Sequence, residues 1–154
     1  MKRLYITLFV LFAVLLSACA SSNSSAVQNG DSASITSLLV SAGESSKSYT
    51  RADLEALGSS EAAFKDVTYK GITVSALVQD AGVDPAQVKA IKAVANDGYS
   101  VNYDPFQIFA DDIIVAYTRV DGDLTEEDGA FRMVLPAAEG KLNLRMLSEI
   151  QIIQ

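Results

Sequence analysis

VKAIKAVANDGYSVNYDPFQIFADDIIVAYTRVDGDLTEEDGAFRMVLP, from Val88 to Pro136, is the stretch on which the fold turns. It holds apolar runs at Val88–Ala95, Tyr99–Tyr103, Ile113–Arg119 and Phe131–Leu135, each of the length and composition expected of a strand. Asn96-Asp97-Gly98 separates the first two, and a glycine between two such runs marks a hairpin, because the tight turns need a positive φ. Asp104-Pro105 then opens a short helical turn carrying Phe106 and Phe109, with Asp as N-cap and Pro in the first helical position. The unbroken apolarity of Ile113-Ile114-Val115-Ala116-Tyr117 predicts a strand covered on both faces and central in its sheet. Four strands of one sheet are expected here, with Val120-Asp121-Gly122-Asp123 turning the chain and Pro136 stopping it.

Outward from this stretch, strands and short helices mix without a repeated unit. Ile35–Ala42 reads as a first strand before Gly43. Thr50-Arg51-Ala52-Asp53 is an N-cap with an acid three residues on, and Leu54 and Leu57 share a helix face. Ser59–Asp66 is ambiguous, Val67–Tyr69 is a brief strand, and Lys70-Gly71 marks a turn. Thr73 caps a helix with Val74, Leu77 and Val78 at helical spacing and Gly82 at its end. Asp84-Pro85 starts another turn, and Ile150–Ile153 closes the domain as a short last strand. The irregular order predicts an α+β fold, a mixed sheet with short helices.

At 154 residues the chain has room for one domain with a core. Its front end reads as an export signal: Lys2-Arg3, an apolar segment Leu4–Leu15 too short for a comfortable membrane span, and a small residue at Ala18. Leu16-Ser17-Ala18-Cys19 resembles the bacterial lipobox, in which the cysteine carries the lipid and becomes the new N-terminus. The expected organisation is a lipoprotein signal peptide over 1–18, a lipidated Cys19 with a flexible tether over 19–34, and a domain over 35–154. The Ser/Asn/Gly-rich tether cannot bury a core and spans roughly 20 Å as a flexible chain. Localisation at the extracytoplasmic face of a bacterial envelope follows, and Ala20 rather than Asp after the cysteine favours an outer membrane where there is one.

The formal charge is -7, with 12 basic against 19 acidic residues, which argues against a nucleic-acid partner, since phosphate binding needs a basic face. Histidine is absent and Cys19 is the single cysteine. The domain therefore lacks the usual base near neutral pH, the usual zinc ligand, and any thiolate nucleophile or thiolate metal ligand.

The motifs together resemble the oxidoreductase molybdopterin-binding domain family, the fold of sulfite oxidase and its bacterial relatives. Tyr49–Leu57 is similar to that family's early helix, and Tyr69-Lys70-Gly71-Ile72-Thr73-Val74-Ser75-Ala76-Leu77 through Gly82-Val83 to its aromatic-x-Gly-Val-x-Leu segment. Asp97-Gly98-Tyr99, Ile114–Tyr117 with Asp121-Gly122, and Gly129–Pro136 resemble its later motifs. The resemblance implies molybdopterin as a cofactor. It also implies a molybdenum-ligating cysteine between about Ser59 and Tyr69, where this chain has none. The family's Lys-Trp pair near the C-terminus is replaced by Arg145-Met146, and its glycine-following Pro by Ala130 or Phe131.

Arg132 and Arg145 occupy positions matching the family pattern, and a guanidinium suits a phosphate or carboxylate; each can equally pair with one of the many acids. Tyr99 can stack on a planar ligand or pack across the hairpin. Asp121, Asp123, Glu126, Glu127 and Asp128 supply oxygens for calcium, although an EF-hand register from Asp121 puts Glu126 where Gly is needed and Arg132 where the closing Glu belongs. The expected function is a lipid-anchored envelope module that is non-catalytic and holds a small anionic or planar ligand or an envelope redox protein. The alternatives are a molybdopterin-dependent oxidoreductase with non-cysteine ligation, and a calcium-dependent surface protein.

Overall fold

The structure, a computed structural model, describes residues 36–154; the expected signal peptide, lipidation at Cys19 and tether lie outside the described residues. The first strand, β1 (Ser37–Ala42), turns at Gly43, φ +59°, into β2 (Ser45–Thr50), its antiparallel neighbour. Thr50 caps α1 (Arg51–Ala56) reciprocally: its hydroxyl accepts from the Asp53 N–H, and the Asp53 carboxylate accepts from the Thr50 N–H. That is the capping box its spacing predicts. β3 (Ser60–Phe64) and β4 (Val67–Thr73) form a hairpin around Lys65-Asp66. Thr73 then caps α2 (Val74–Asp80), whose Val74, Leu77 and Val78 are buried.

A 3-10 turn at Pro85–Gln87 leads to β5 (Ala90–Ala95), which pairs with β6 (Ser100–Tyr103) across the Asp97-Gly98 turn. The helical turn α3 (Pro105–Ile108) precedes β7 (Ile114–Arg119) and β8 (Arg132–Val134). A 3-10 turn at Gly140–Leu142 leads to β9 (Leu147–Ile153).

Two sheets result: β2-β1-β9-β5-β6 and β3-β4-β7-β8. All pairings are antiparallel except β1 with β9. The class is α+β, as the mixture of strands and short helices predicts. The four strands of Val88–Pro136 are not in one sheet, however: β5 and β6 belong to the first, β7 and β8 to the second. The reason lies in Asp104–Asp112, where α3 buries Ile108 and ends the ladder, so that β7 takes β4 and β8 as neighbours.

The reading of β7 as doubly covered holds. Val115 and Tyr117 join the main core, which draws on both sheets and the helices, while Ile114 and Ala116 join a smaller cluster with Ala62, Tyr69 and Val134.

Two further local readings are corrected, and two strands are added to the sequence reading. Lys70-Gly71 is not a turn but the middle of β4, where a bulge sets Lys70 opposite Thr118 and Gly71 opposite Ala116. The glycine is there for closeness: a Cβ would press on the Val115 carbonyl and stand 2.6 Å from the Ala116 Cα. The polar β2 and β3 are edge strands with exposed faces, so neither shows a hydrophobic run. The last strand is seven residues long and central in the first sheet, with Leu147, Ile150 and Ile152 buried.

Candidate functional site

The bend between β7 and β8 is built by Thr125-Glu126-Glu127-Asp128-Gly129. The Asp128 carboxylate accepts from the Thr125 hydroxyl at 3.0 Å, and the Asp128 N–H donates back to that hydroxyl at 3.3 Å. Gly129 follows at φ +75°. This Thr-x-x-Asp spacing repeats that of Thr50–Asp53, and that pattern in the sequence could have located the bend. It folds Asp128 back over β8, where its carboxylate receives the Arg132 guanidinium at 2.6 Å.

Arg132 is 4 % exposed. Its Nη1 also donates to the Tyr69 hydroxyl at 2.8 Å, its Cζ lies 4.5 Å from the Tyr69 ring centre, and Nε is buried without a partner. The structure thus places this cation in the interior, paired with an acid.

Arg145 is placed differently. Its Nη1 meets Glu127 at 2.7 Å, with both side chains more than half exposed. An exposed ion pair is worth about 0–1 kcal/mol, so an incoming anion can displace Glu127 at little cost. Breaking the Arg132–Asp128 pair would leave a buried charge uncompensated.

Arg145 is fixed to the bend through its neighbour. The Met146 N–H donates to the Asp128 carbonyl at 2.7 Å, and the Met146 carbonyl accepts from the Asn96 N–H at 2.8 Å. Met146 holds φ +51°, a region costly for a side chain with a Cβ and found where surroundings over-determine the backbone. Here the over-determination is visible, because Gly129 lies so close that a Cβ on it would stand 2.8 Å from the Met146 Cα.

One corner of the domain therefore brings together the Thr125–Gly129 bend, Arg145-Met146 and the Asn96–Tyr99 hairpin. Tyr99 is 52 % and Met146 41 % exposed. Asp97 holds the hairpin by accepting from the Tyr99 N–H at 2.9 Å. Behind Tyr99, Tyr103 is buried and donates to the Leu142 carbonyl at 2.7 Å; burial, and then the neighbouring Tyr99, push its phenol well above the ordinary range. Sequence reasoning missed Asn143, whose buried amide accepts from the Leu135 N–H at 2.7 Å and donates to the Leu135, Ala138 and Glu139 carbonyls. It closes the loop leading into Arg145.

The acids proposed for calcium are dispersed: Asp121 pairs with Arg119, Asp123 with Arg51, Glu127 with Arg145 and Asp128 with Arg132. Among the described residues no three metal-ligating side chains converge.

This fold and these motifs define a molybdopterin-domain scaffold. The chain belongs to the oxidoreductase molybdopterin-binding domain family, whose profile matches residues 20–154. Among solved structures it is similar in fold to the sulfane dehydrogenase SoxCD from Paracoccus pantotrophus, with a TM-score of 0.65 and 19% identity over 78% of this chain and 38% of that one. The chain thus spans well under half the length of that protein. No curated protein matches it.

The residues present do not fit a thiolate-held metal. The segment in which the resemblance puts the ligand cysteine is the β3–β4 hairpin, where Phe64 and Val67 pair across only Lys65 and Asp66, Lys65 stands at φ +54°, and Ala62 is buried in the smaller cluster. The only cysteine of the chain is Cys19, and there is no histidine.

Proposed function

We propose that this protein is a lipid-anchored envelope module in which the molybdopterin-binding scaffold is kept for binding rather than for metal-centred oxidation. The ligand is a small anion or an anionic planar molecule held at the corner of Tyr99 and Arg145. The observation that carries this reading is the contrast between the two arginines at family-like positions: Arg132 is buried against Asp128, whereas Arg145 is in an exposed, displaceable pair. Tyr99 adds an exposed ring for stacking, and Arg132 acts at one remove by holding the bend on which Glu127 stands.

Family membership favours a second reading, an oxidoreductase that holds molybdopterin without a cysteine ligand. One experiment separates the two. The full chain, produced in a host that makes molybdopterin, is assayed for molybdenum and for fluorescent oxidised pterin. We expect neither in stoichiometric amount, and one equivalent of each would replace the first reading by the second. The anchor is tested apart from the site: Cys19→Ser should move the protein from the membrane to the soluble fraction, and unchanged fractionation would remove lipidation from the proposal.

A further inference from the structure

Two turns in this chain share a pattern, Asp84-Pro85-Ala86-Gln87-Val88 and Asp104-Pro105-Phe106-Gln107-Ile108. In each, the Asp carboxylate accepts from the N–H two residues on, at 2.9 Å in both cases. The two lie side by side and form an open cleft of about 590 Å³ lined by Pro85, Val88, Pro105, Phe106, Phe109 and Ala110. Phe106 is 99 % exposed, while the packing of its turn is done by Ile108, fully buried, and Phe109, partly buried on the core. A polar residue at 106 would serve the fold equally well. Phe106 and the apolar lining beside it are thus open to a partner.

Charge decides what fits there. Asp84 and Asp104 cap the turns, and Asp111 and Asp112 follow directly on Ala110. Among the described residues none of the four is in an ion pair, although Asp80, Asp121, Asp123 and Asp128 all are. Lys89 is the one cation within 84–90 or 104–113. A second copy of this acidic chain, or an anionic lipid surface, would meet like charge here.

We infer that the cleft between the two Asp-Pro turns docks a cationic peptide segment of a partner protein, one that carries an aromatic or aliphatic side chain between lysines or arginines. The apolar side chain enters beside Phe106 and the cations face the four carboxylates. This surface uses none of the residues of the Tyr99–Arg145 corner, so the inference stands apart from the proposed function.

The absence of tryptophan from the chain makes a clean test available. The probe is a hexapeptide amide of sequence Lys-Lys-Trp-Leu-Lys-Lys, with a Glu-for-Lys counterpart, titrated against the full chain in phosphatidylcholine nanodiscs with empty discs as blank. A saturable blue shift of the probe's emission is expected for the lysine peptide alone. It should weaken about tenfold or more in Phe106→Ala and in Asp111→Asn/Asp112→Asn, and also with added salt. Phe106→Ala removes no packing, so an unchanged melting curve is expected to accompany the lost affinity.

No saturable shift, equal binding of the glutamate peptide, or full affinity in Phe106→Ala would overturn the inference. A dimer in sedimentation velocity that Phe106→Ala dissociates would give the cleft to a second copy. A blue-shifted Phe106→Trp emission on the discs without peptide would give it to lipid.

Discussion

Arg132 shows what a single residue's position in a sequence does and does not reveal. In a strand, residues four apart do not face one another on neighbouring turns as they do in a helix, so nothing in the spacing pairs Asp128 with Arg132. The pair exists because the Thr125–Gly129 bend folds the chain back. Both side chains are nearly inaccessible, at 5% and 7% exposure. Arg132→Ala should therefore cost about 3–5 kcal/mol, most of it from leaving the Asp128 carboxylate buried without a counter-charge. Replacing both partners by apolar residues, Arg132→Met with Asp128→Ala, should recover a large part of that loss, as read from urea midpoints. A double variant no more stable than Arg132→Ala would mean that the contact with the Tyr69 ring or the Thr125–Asp128 hydrogen bond, not the orphaned charge, carries the cost. Arg145→Ala, by contrast, should leave the unfolding free energy in urea within about 0.5 kcal/mol, because its pair with Glu127 is exposed.

At the scale of elements, legibility follows the hydrophobic pattern. The strand β7 could be read because both its faces are buried, and α1 and α2 because Thr50 and Thr73 announce their starts. The edge strand β2 could not, since only Tyr49 of its six residues is buried. Lys70-Gly71 is ambiguous in the sequence because glycine has two uses. It permits a positive φ in turns, and it allows another backbone to come close; β4 needs the second. Gly71→Ala should thus destabilise by about 1–3 kcal/mol or more as β4 and β7 are pushed apart at the bulge. Gly43→Ala offers the comparison. Its Cβ would meet nothing within 4 Å, and the cost there is only that of φ +59°, on the order of 1 kcal/mol. Chemical denaturation of the two variants side by side checks this, and equal losses would remove close packing as the reason for Gly71.

Over the whole molecule, the response to pH is set by groups that tie separate elements together. Lys47 and Tyr49 of β2 both donate to Asp80 at the end of α2, at 2.5 and 2.7 Å. The hydrogen bond from Lys47, then that from Tyr49, hold the Asp80 carboxyl below the usual range, and hydrogen bonds from Thr50 do the same for Asp53. A carboxyl whose folded pKa is depressed contributes stability above its unfolded value, about 3.9, and loses it as pH falls through the lower folded value. At the other end, burial raises the phenols of Tyr49, Tyr103 and Tyr117, all members of the main core. A raised folded pKa contributes stability that is complete below the unfolded value, about 10, and is lost as pH rises beyond it. Between these limits the chain has no histidine to titrate. Thermal midpoints should therefore run level from about pH 5 to about pH 9, fall below about pH 4, and fall again above about pH 10. Tyrosinate absorbance of these three side chains should appear together with unfolding rather than before it. In Tyr117→Phe, which removes a hydroxyl without the ring, the alkaline fall should be shallower. A midpoint that drifts between pH 6 and 8 would count against this assignment of the pH response to the carboxyls and phenols.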